Sequence, residues 1–315
     1  MNNKNKTLIM ISVVVLAVLA MFLYANFRTA PVTKEGYYFD THVSITVYSK
    51  HDARCIDDCM KMCERYDNLF SKTAEGSDVW NINHSNAKPV TIDPETYRLI
   101  EDSLVFCEET NGALDITVEG LINVWGFEDA ENVSTLPSEK VIEEALSHVG
   151  YQNVILGENN TITVNDPQTK IDLGCIAKGY IADRIKEYLI SKNVKSAIVS
   201  LGGNIVVIGS KPDKSEYKIG IKDPDSQGII SSVSVRDKSV VTSGTYERYI
   251  ELDNTKYHHI LDTKTGYPVN NNIKSVTITS DSSEIGDALS TACLILGEKE
   301  SKALLEKYNA EAVFY

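Results

Sequence analysis

The chain has 315 residues and a net charge of −13, from 31 basic and 44 acidic side chains. This length allows one large domain, or two closely joined subdomains, with a core of substantial size. The negative charge argues against a nucleic-acid-binding protein, because a polyanion would be repelled. An anionic nucleotide would need a metal ion or a local basic group to be held.

The first 30 residues differ in composition from the rest of the chain. Lys4 and Lys6 precede an apolar run from Leu8 to Tyr24 that only Ser12 interrupts. A run of about 17 residues is the lower limit for crossing a bilayer. We predict that residues 1–30 form an uncleaved membrane-anchor helix and linker rather than a cleaved signal peptide. Basic residues before the run would place the globular part, residues 37–315, on the extracytoplasmic side of the cell membrane.

The first elements of the globular part are a predicted strand, Tyr37–Ser49, and a predicted helix, Asp52–Phe70. Apolar and polar residues alternate in the strand, while the apolar residues of the helix recur on one side. Cys55, Cys59 and Cys63 recur every four residues and therefore share one helix face. Residues one helical turn apart suit a disulfide poorly, so packing against the core is the favoured interpretation and a thiolate metal site the alternative.

Further helices and strands follow along the chain. One helix begins after Asp93-Pro94 and ends near Asn111-Gly112, because Asp is a good cap and Pro suits the first helical position. The other predicted helices are Ser138–Val149, Ala177–Ile190, Glu284–Leu296 and Lys299–Tyr308. The predicted strands are Val154–Leu156, Thr161–Val164, Lys170–Leu173, Ala197–Ser200, Ile205–Ile208, Tyr217–Ile221, Ile229–Arg236, Ser239–Val241, Arg248–Leu252, Lys256–Leu261 and Lys274–Thr279. Hairpins mixed with helices indicate an α+β fold with antiparallel sheets.

The segment from Lys170 to Asp183 reads as a strand, a turn at Gly174 and a helix that starts near Ala177. Free N–H groups at a helix start favour an anion, and Lys178 would add a positive charge there. The spacing of a Walker loop is absent. Strand–Gly–helix is also an ordinary structural connection, and that alternative stays open.

A second candidate block is the helix that carries Asp287 and Thr291. The two residues lie at positions i and i+4, so their side-chain oxygens share one helix face. A carboxylate, a hydroxyl and nearby carbonyls suit a hard divalent cation such as Mg²⁺. The alternative is an Asp that interacts with the helix dipole and a Thr that bonds back to its own helix.

Two histidines precede a predicted turn that contains Asp262 and Gly266. Strand alternation would put His259 and Leu261 on one face and His258 on the other. One of the histidines is a candidate general base, since the imidazole pKa lies near neutral pH. A hydrogen-bonded structural histidine is the alternative.

The blocks Gly112–Val118 and Leu121–Phe127 combine aromatic and apolar residues with Asp115. Such groups can hold a planar heterocycle by stacking and edge hydrogen bonds, or can simply pack in the core. Ser200–Asn204 and Thr242–Arg248 add glycine turns where backbone can approach a ligand.

In their order and spacing these blocks resemble the ApbE family of flavin transferases, over roughly residues 37–315. The resemblance rests on Gly112–Thr117, Leu121–Phe127, Asp172–Asp183, Leu201–Asn204, Ser243–Arg248, His259–Pro268 and Asp287–Thr291. It implies a T-fold-like α+β architecture of two interleaved subdomains. It also implies Mg²⁺-dependent transfer of FMN from FAD to a threonine of an acceptor flavoprotein, with release of AMP. We expect the acceptors to be flavin-carrying subunits of membrane redox complexes or secreted flavoproteins.

The resemblance also implies roles for individual residues. His259 matches the family's general base. The positions that match its metal ligands are Ala177, through its backbone carbonyl, Asp287 and Thr291. The positions that match its FAD contacts are Ala113, Leu114, Asp115, Asp172, Lys178, Ile260 and Leu261. Phe39 stands where the family usually has Met on the first strand, and its ring would stack on the flavin.

Two other functions would use the same candidate site residues. One is hydrolysis of FAD to FMN and AMP, an FAD pyrophosphatase reaction in which water replaces the threonine. The other is a non-catalytic FAD-binding surface protein, in which FAD is held and not cleaved.

Overall fold

The computed structural model describes residues 10–17, 30–226 and 228–315, which form nine helices and fourteen strands. The helices are α1 (10–17), α2 (Ala53–Phe70), α3 (Asp78–Asn83), α4 (Pro94–Glu109), α5 (Glu119–Trp125), α6 (Glu139–Leu146), α7 (Ala177–Ser191), α8 (Ser283–Leu296) and α9 (Glu298–Lys307). Two short 3₁₀ helices span Phe127–Asn132 and Tyr151–Asn153. The strands are β1 (Val32–Tyr38), β2 (Thr41–Val47), β3 (Val90–Thr91), β4 (Val154–Gly157), β5 (Thr161–Val164), β6 (Ser196–Leu201), β7 (Asn204–Gly209), β8 (Tyr217–Lys222), β9 (Ile229–Val235), β10 (Ser239–Gly244), β11 (Tyr249–Leu252), β12 (Thr255–His258), β13 (Ser275–Ser280) and β14 (Glu311–Phe314).

A seven-stranded antiparallel sheet is the centre of the fold. Its order is β1-β2-β6-β7-β10-β13-β14. Helices α2, α7 and α8 pack together against the sheet. Three smaller sheets, β3-β5-β4, β8-β9 and β11-β12, are also antiparallel. The predicted mixture of helices with antiparallel sheets is therefore confirmed.

Strand β7 shows why the central strands are apolar on both faces. Val206 and Ile208 belong to the main core beneath the helices, whereas Val207 belongs to a cluster with Tyr217 of β8 and Val240. Successive side chains of a strand point to opposite faces, so both faces of β7 are covered. The sheet thus provides a rigid layer between the helices and the β8–β9 hairpin.

The predicted single strand Tyr37–Ser49 is wrong, because the chain reverses in the middle of it. Phe39 and Asp40 both have a φ of +55° and make the two-residue turn between β1 and β2. Positive φ at both central residues is the geometry that a tight hairpin requires. The Phe39 N–H donates to Oδ1 of Asp67 on α2 across 2.9 Å, which holds the turn in place.

The predicted strand Lys170–Leu173 is also wrong. Lys170 makes only an isolated bridge to Val118, and the next residue is held by a side chain. The Asn83 amide donates to the Ile171 carbonyl at 2.9 Å, and its oxygen accepts the Ile171 N–H at 2.7 Å. A buried asparagine thus replaces the neighbouring strand that this segment would need.

The predicted strand Lys256–Leu261 ends early, at His258. The alternation of side chains between two strand faces therefore does not extend to His259, Ile260 and Leu261. Ile260 and Leu261 are both buried, each in a different apolar cluster. Helices α3 and α5 and strands β3 and β14 are additional elements that the pattern did not predict.

The cysteine stripe of α2 packs in the core, as predicted. Cys55, Cys59 and Cys63 are buried in the main apolar cluster and carry free thiols. Burial raises the pKa of the Cys63 thiol to about 12, and the carboxylate of Asp67 adds to the shift. The thiols of Cys59 and Cys63 therefore stay protonated near neutral pH, and the three cysteines pack as small apolar side chains.

Among residues 10–17, 30–226 and 228–315, no helix has both the length and the apolar character needed to cross a membrane. The predicted anchor, residues 1–30, lies for the most part outside these residues. Its role, the extracytoplasmic location and the division from residues 37–315 stay predictions.

Candidate active site

The β1–β2 turn, the β6–β7 turn and the end of β10 meet at one end of the central sheet. Val43 near the start of β2 pairs with Leu201 at the end of β6, and Asn204 at the start of β7 pairs with Val241 of β10. The turn at Gly202 lies between them, and a Cβ on Gly202 would lie 2.2 Å from Oγ1 of Thr41. Glycine is therefore required for the β1–β2 and β6–β7 turns to approach each other.

The start of α7 contacts α8 beside this end of the sheet. The backbone N–H of Gly179 donates to Oδ2 of Asp287 across 2.9 Å, and Asp287 is only 3% exposed. A Cβ on Gly179 would lie 2.2 Å from the carbonyl oxygen of Ser283. The missing side chain lets the two helices approach closely enough for this hydrogen bond.

Thr291 lies one turn after Asp287 and faces β10. Its Oγ1 is 3.1 Å from Oγ of Ser243, and that oxygen is also 2.7 Å from Oγ of Ser290. Asp287 thus contacts α7 and Thr291 contacts the end of β10, whereas the i and i+4 spacing predicted only that their oxygens share a helix face.

The oxygen donors at this junction suit a hard cation. The Gly179 hydrogen bond uses Oδ2 of Asp287 and not Oδ1, and Ala177 begins α7 two residues before Gly179. The residues that the structure describes contain no group of three or more His, Cys, Asp or Glu side chains placed so that they could hold a metal ion. A cation here would therefore bind one carboxylate, neutral oxygens and water, a set that Mg²⁺ accepts.

Charged side chains gather around the same junction. The Lys178 ammonium donates to the Gly174 carbonyl across 3.0 Å, and its charge acts on both Glu247 and His259. Partial burial raises the pKa of Glu247, and the charge of Asp287 raises it further, whereas Lys178 opposes the shift. Lys178, Glu247, His259 and Asp287 thus belong to one electrostatic cluster.

His259 is held in a form that can accept a proton. Its Nδ1 lies 3.1 Å from the carbonyl oxygen of Arg248, which can only accept, so Nδ1 carries the hydrogen and Nε2 keeps its lone pair. Burial lowers the pKa of His259 to about 4, and the positive charges of Arg248 and Lys178 contribute. The imidazole is therefore neutral at physiological pH.

The neighbouring histidine has a different environment. Nε2 of His258 donates to the Val269 carbonyl across 2.9 Å, while its Nδ1 is buried without a hydrogen-bond partner. Burial lowers the pKa of His258. This histidine links β12 to the segment after the Asp262–Gly266 turn and fits the structural alternative.

Asp115 uses both carboxylate oxygens within the protein. Oδ1 accepts the N–H and the hydroxyl of Thr117 at 2.8 and 2.6 Å, and Oδ2 accepts the Tyr151 N–H at 2.9 Å. Burial raises the pKa of this carboxyl. Its side chain fixes the loop that carries Ala113 and Leu114, which are themselves buried.

The loop at Gly112 contacts the turn that follows the histidines. The Thr263 hydroxyl donates to the Gly112 carbonyl across 2.6 Å, and the Trp125 indole N–H donates to the Gly266 carbonyl across 2.9 Å. The two blocks that the sequence singled out are therefore joined. Phe39 lies at the same end of the sheet, in the β1–β2 turn.

Asp172 lies just before α7 and also has both oxygens occupied. Oδ1 accepts the Gly174 N–H at 2.5 Å, and Oδ2 contacts the Lys72 ammonium at 2.8 Å. Burial would raise the pKa of Asp172, but Lys72 and this N–H lower it below its usual value.

Sequence reasoning missed four residues of this region: Lys72, Asn83, Glu247 and Arg248. Glu247 and Arg248 lie in the Thr242–Arg248 block, whose glycine turn and place in the family resemblance assign no role to either side chain. Lys72 and Asn83 carry no local signal, because their partners at residues 171 and 172 are distant in sequence.

Comparison with known proteins identifies the family. The model of the ApbE family matches residues 39–314. An FAD:protein FMN transferase of Klebsiella pneumoniae is 36% identical over 279 residues, which is 86% of this chain and 85% of that protein. A second FAD:protein FMN transferase, from Treponema pallidum, is 34% identical over 86% of this chain and 80% of its own length.

Solved structures agree with this match. The ApbE protein of Thermotoga maritima is 37% identical, with a TM-score of 0.84 over 90% of this chain and 94% of that chain. The flavin transferase ApbE of Vibrio cholerae is 26% identical, with a TM-score of 0.79 over 90% and 93%. The chain therefore belongs to the ApbE family and is a transferase.

Proposed function

We propose that this protein is an Mg²⁺-dependent FAD:protein FMN transferase. It would move FMN from FAD to a threonine of an acceptor flavoprotein, form a phosphoester there and release AMP. The similarity to named FAD:protein FMN transferases supports the reaction class. The requirement for Mg²⁺, the threonine acceptor and the release of AMP are what the family resemblance implies, and the oxygen donors beside α7 and α8 support the metal.

The observation that supports this function best is the position of oxygen donors suited to a cation beside a neutral histidine. Asp287 contacts the start of α7, and Thr291 contacts Ser243 of β10. Lys178 of α7 acts electrostatically on His259. The diphosphate of FAD needs neutralisation, and the acceptor hydroxyl needs a base. Both requirements are met within one cluster of residues.

Asp287, Thr291 and the carbonyl of Ala177 would hold the metal. When bound there, Mg²⁺ would neutralise charge on the diphosphate and orient it for substitution. Lys178 supplies a second positive charge, and the N-terminus of α7 adds its dipole. These groups favour the negative charge that develops on the phosphate oxygens as the anhydride breaks.

His259 would take the proton of the acceptor hydroxyl. As the threonine oxygen bonds to the FMN-side phosphorus, its proton passes to Nε2 of His259 and the bond to the AMP-side oxygen breaks. AMP leaves with the electron pair of that bond. The hydrogen bond from Nδ1 to the Arg248 carbonyl orients the ring, and the low pKa keeps Nε2 unprotonated.

The test is a transfer assay with the globular part, FAD, Mg²⁺ and an acceptor that presents a threonine in a short Ser/Thr- and Gly/Ala-containing loop. We expect the mass of FMN to be added to the acceptor and one AMP to be released for each transfer. If AMP appears equally with and without acceptor and the acceptor gains no mass, the protein is a pyrophosphatase. Mutation of the acceptor threonine to valine provides the control.

The variant Asp287→Asn separates a catalyst from a binding protein. Asparagine keeps an oxygen that can accept the Gly179 N–H but removes the charge. We expect AMP release to fall by about 100-fold or more, with the fold preserved. Tight FAD binding in both proteins, with no AMP from either, would show that the chain holds FAD without cleaving it.

We also propose that the globular part acts outside the cytoplasm, on flavin-carrying subunits of membrane redox complexes. The basic residues Lys4 and Lys6 before the apolar run Leu8–Tyr24 support this orientation. Added protease should digest the globular part in cells whose wall has been removed and whose cell membrane is intact. Protection until the membrane is lysed would place it on the cytoplasmic side.

A further inference from the structure

Lys72 connects three separate segments next to the candidate active site. Its ammonium lies 2.6 Å from a carboxylate oxygen of Glu119 at the start of α5, 2.5 Å from Glu128 in the first 3₁₀ helix, and 2.8 Å from Asp172. The Lys72 side chain is 16% exposed and that of Glu119 is 8% exposed. This lysine is therefore a largely buried cation among three carboxylates.

The charges in this cluster do not cancel. One ammonium faces three carboxylates, and Arg248 also acts on Asp172. Burial alone would lower the pKa of Lys72, but Asp172 and Glu119 raise it above its ordinary value. Burial raises the pKa of Glu119 to about 7, and the charge of Asp172 contributes while Lys72 opposes the shift. Without Lys72, two largely buried carboxylates would repel each other across the cluster.

A chain of contacts leads from Lys72 to the start of α7. Lys72 contacts Oδ2 of Asp172, and Oδ1 of the same carboxylate accepts the Gly174 N–H at 2.5 Å. The Gly174 carbonyl in turn accepts from the Lys178 ammonium at 3.0 Å. A Cβ on Gly174 would lie 2.8 Å from Oδ1 of Asp172, so the turn depends on close approach to this carboxylate. Lys72 thus fixes one end of the turn whose other end presents Lys178.

We infer that Lys72 is a positioning residue for FAD: it holds Asp172, and through it the turn from Asp172 to Lys178, in the geometry that binds the dinucleotide. The inference rests on the proposed function, since FAD is the ligand that Asp172 and Lys178 would contact. Lys72 acts through Asp172 and the Asp172–Lys178 turn. Lys72 keeps Asp172 charged and oriented, and its positive charge offsets the negative charge of Glu119.

The experiment compares Lys72→Met with Lys72→Arg and the double variant Lys72→Met/Glu119→Gln. FAD affinity is measured by quenching of flavin fluorescence, and KM is measured separately for FAD and for the acceptor. For Lys72→Met we expect the Kd and KM for FAD to rise by about tenfold or more, with the KM for the acceptor changed by less than about twofold. Lys72→Arg should recover most of the affinity, because it keeps the charge.

The double variant tests how Lys72 acts. Glu119→Gln removes the carboxylate that Lys72 offsets, so the Kd for FAD should fall between those of Lys72→Met and the wild type. A lysine that contacts FAD directly would not be rescued in this way. Lys61→Met, which removes an exposed lysine paired at 3.7 Å with Asp58, is the matched control.

Clear results would overturn the inference. A folded Lys72→Met variant that binds FAD like the wild type would do so, as would equal changes in the two KM values, or no rescue by Glu119→Gln. If Lys72→Met does not fold, the double variant is measured in its place. Its Kd for FAD must then still exceed the wild-type value by about threefold. Failure of the proposed function is a separate result, since the wild type would then add no FMN to any acceptor.

Discussion

The backbone N–H of Gly179 donates to Oδ2 of Asp287 at a point where no side chain would fit. The distance is 2.9 Å, and a Cβ on Gly179 would approach the carbonyl oxygen of Ser283 to 2.2 Å. A backbone atom cannot move aside as a flexible side chain can. The glycine therefore determines both the spacing of α7 and α8 and the orientation of the carboxylate that would bind the metal.

Gly179→Ala should separate the two helices and displace Asp287. We expect a loss of about 1–3 kcal/mol in the free energy of unfolding, as for other overpacked sites, and a fall in FMN transfer larger than the stability loss explains. Urea denaturation and the transfer assay measure the two effects. The control is Gly120→Ala in α5, where the nearest atom to a new Cβ, the Gln168 carbonyl oxygen, is 3.9 Å away. Wild-type transfer by a stable Gly179→Ala variant would contradict this account.

Thr291→Val should weaken the response to Mg²⁺ without unfolding the protein. Valine keeps the shape of threonine but removes the hydroxyl, which lies 3.1 Å from Oγ of Ser243. We expect the Mg²⁺ concentration for half-maximal transfer to rise by about tenfold, as for the loss of one neutral ligand. This concentration is measured by titrating Mg²⁺ into protein from which metal has been removed with a chelator.

The matched control for this change is Ser290→Ala. It removes the adjacent hydroxyl, which lies 2.7 Å from Oγ of Ser243 and donates to the Asp287 carbonyl at 2.9 Å. Its Mg²⁺ requirement should stay within about twofold of the wild type. Equal shifts in both variants would mean that Thr291 only supports the packing of α8.

The sequence predicted the helices of the site better than its connections. Periodicity placed α7 and α8 to within one residue at each end and put Asp287 and Thr291 on one face. Local patterns did not reveal that Phe39 turns the chain, since an aromatic residue is not a usual signal for positive φ. Nor did they show that Asn83 replaces a strand next to Ile171, because that contact spans 88 residues. Long-range polar contacts of this kind depend on the assembled fold.

Asn83 supplies the next prediction, because it satisfies both backbone groups of Ile171. Asn83→Ala would leave the Ile171 N–H and carbonyl buried without partners, at a cost of about 2–4 kcal/mol in unfolding free energy. Asn83→Asp keeps the acceptor for the N–H but removes the donor for the carbonyl, so its cost should also be large. Chemical denaturation measures both. Asn81→Ala, which removes a donor to the Gly76 carbonyl on the exposed side of α3, is the control. If Asn83→Ala and Asn81→Ala lower the unfolding free energy equally, the loss comes from destabilising α3 in general and not from the contact with Ile171.

The pH dependence of transfer should reflect the neutral state of His259. Its pKa of about 4 lies below the ordinary value of about 6.5. Nε2 therefore becomes protonated, and can no longer accept the acceptor's proton, only at acidic pH. We expect kcat/KM to fall below about pH 4–5 and to stay level between about pH 6 and 7.5. Arg248→Gln removes one positive neighbour and keeps the backbone carbonyl, so it should move this acidic fall to higher pH. Lys256→Gln, which removes a positive charge that lies over the Tyr249 ring, should not. An acidic fall near pH 6.5 in the wild type would show that burial does not depress this pKa.

Stability should also depend on pH through His148 and Asp166, whose Nδ1 and Oδ2 lie 2.6 Å apart. The hydrogen bond to Asp166 raises the pKa of His148, and the same bond lowers the pKa of Asp166. The contribution of His148 is complete below its ordinary pKa of about 6.5 and is lost as the pH rises through the folded value. The contribution of Asp166 is complete above its ordinary pKa of about 3.9 and is lost as the pH falls through the folded value.

The pair should therefore stabilise the fold most between about pH 4 and 6.5, by about 0.5–1 kcal/mol, because both side chains are partly exposed. Urea denaturation of His148→Asn should show a larger loss at pH 5.5 than at pH 8.5. His51→Asn, which removes an exposed histidine elsewhere, corrects for the loss of a histidine as such. A loss for His148→Asn that is the same at both pH values would mean that the ionic part of the contact contributes nothing and that only its packing matters.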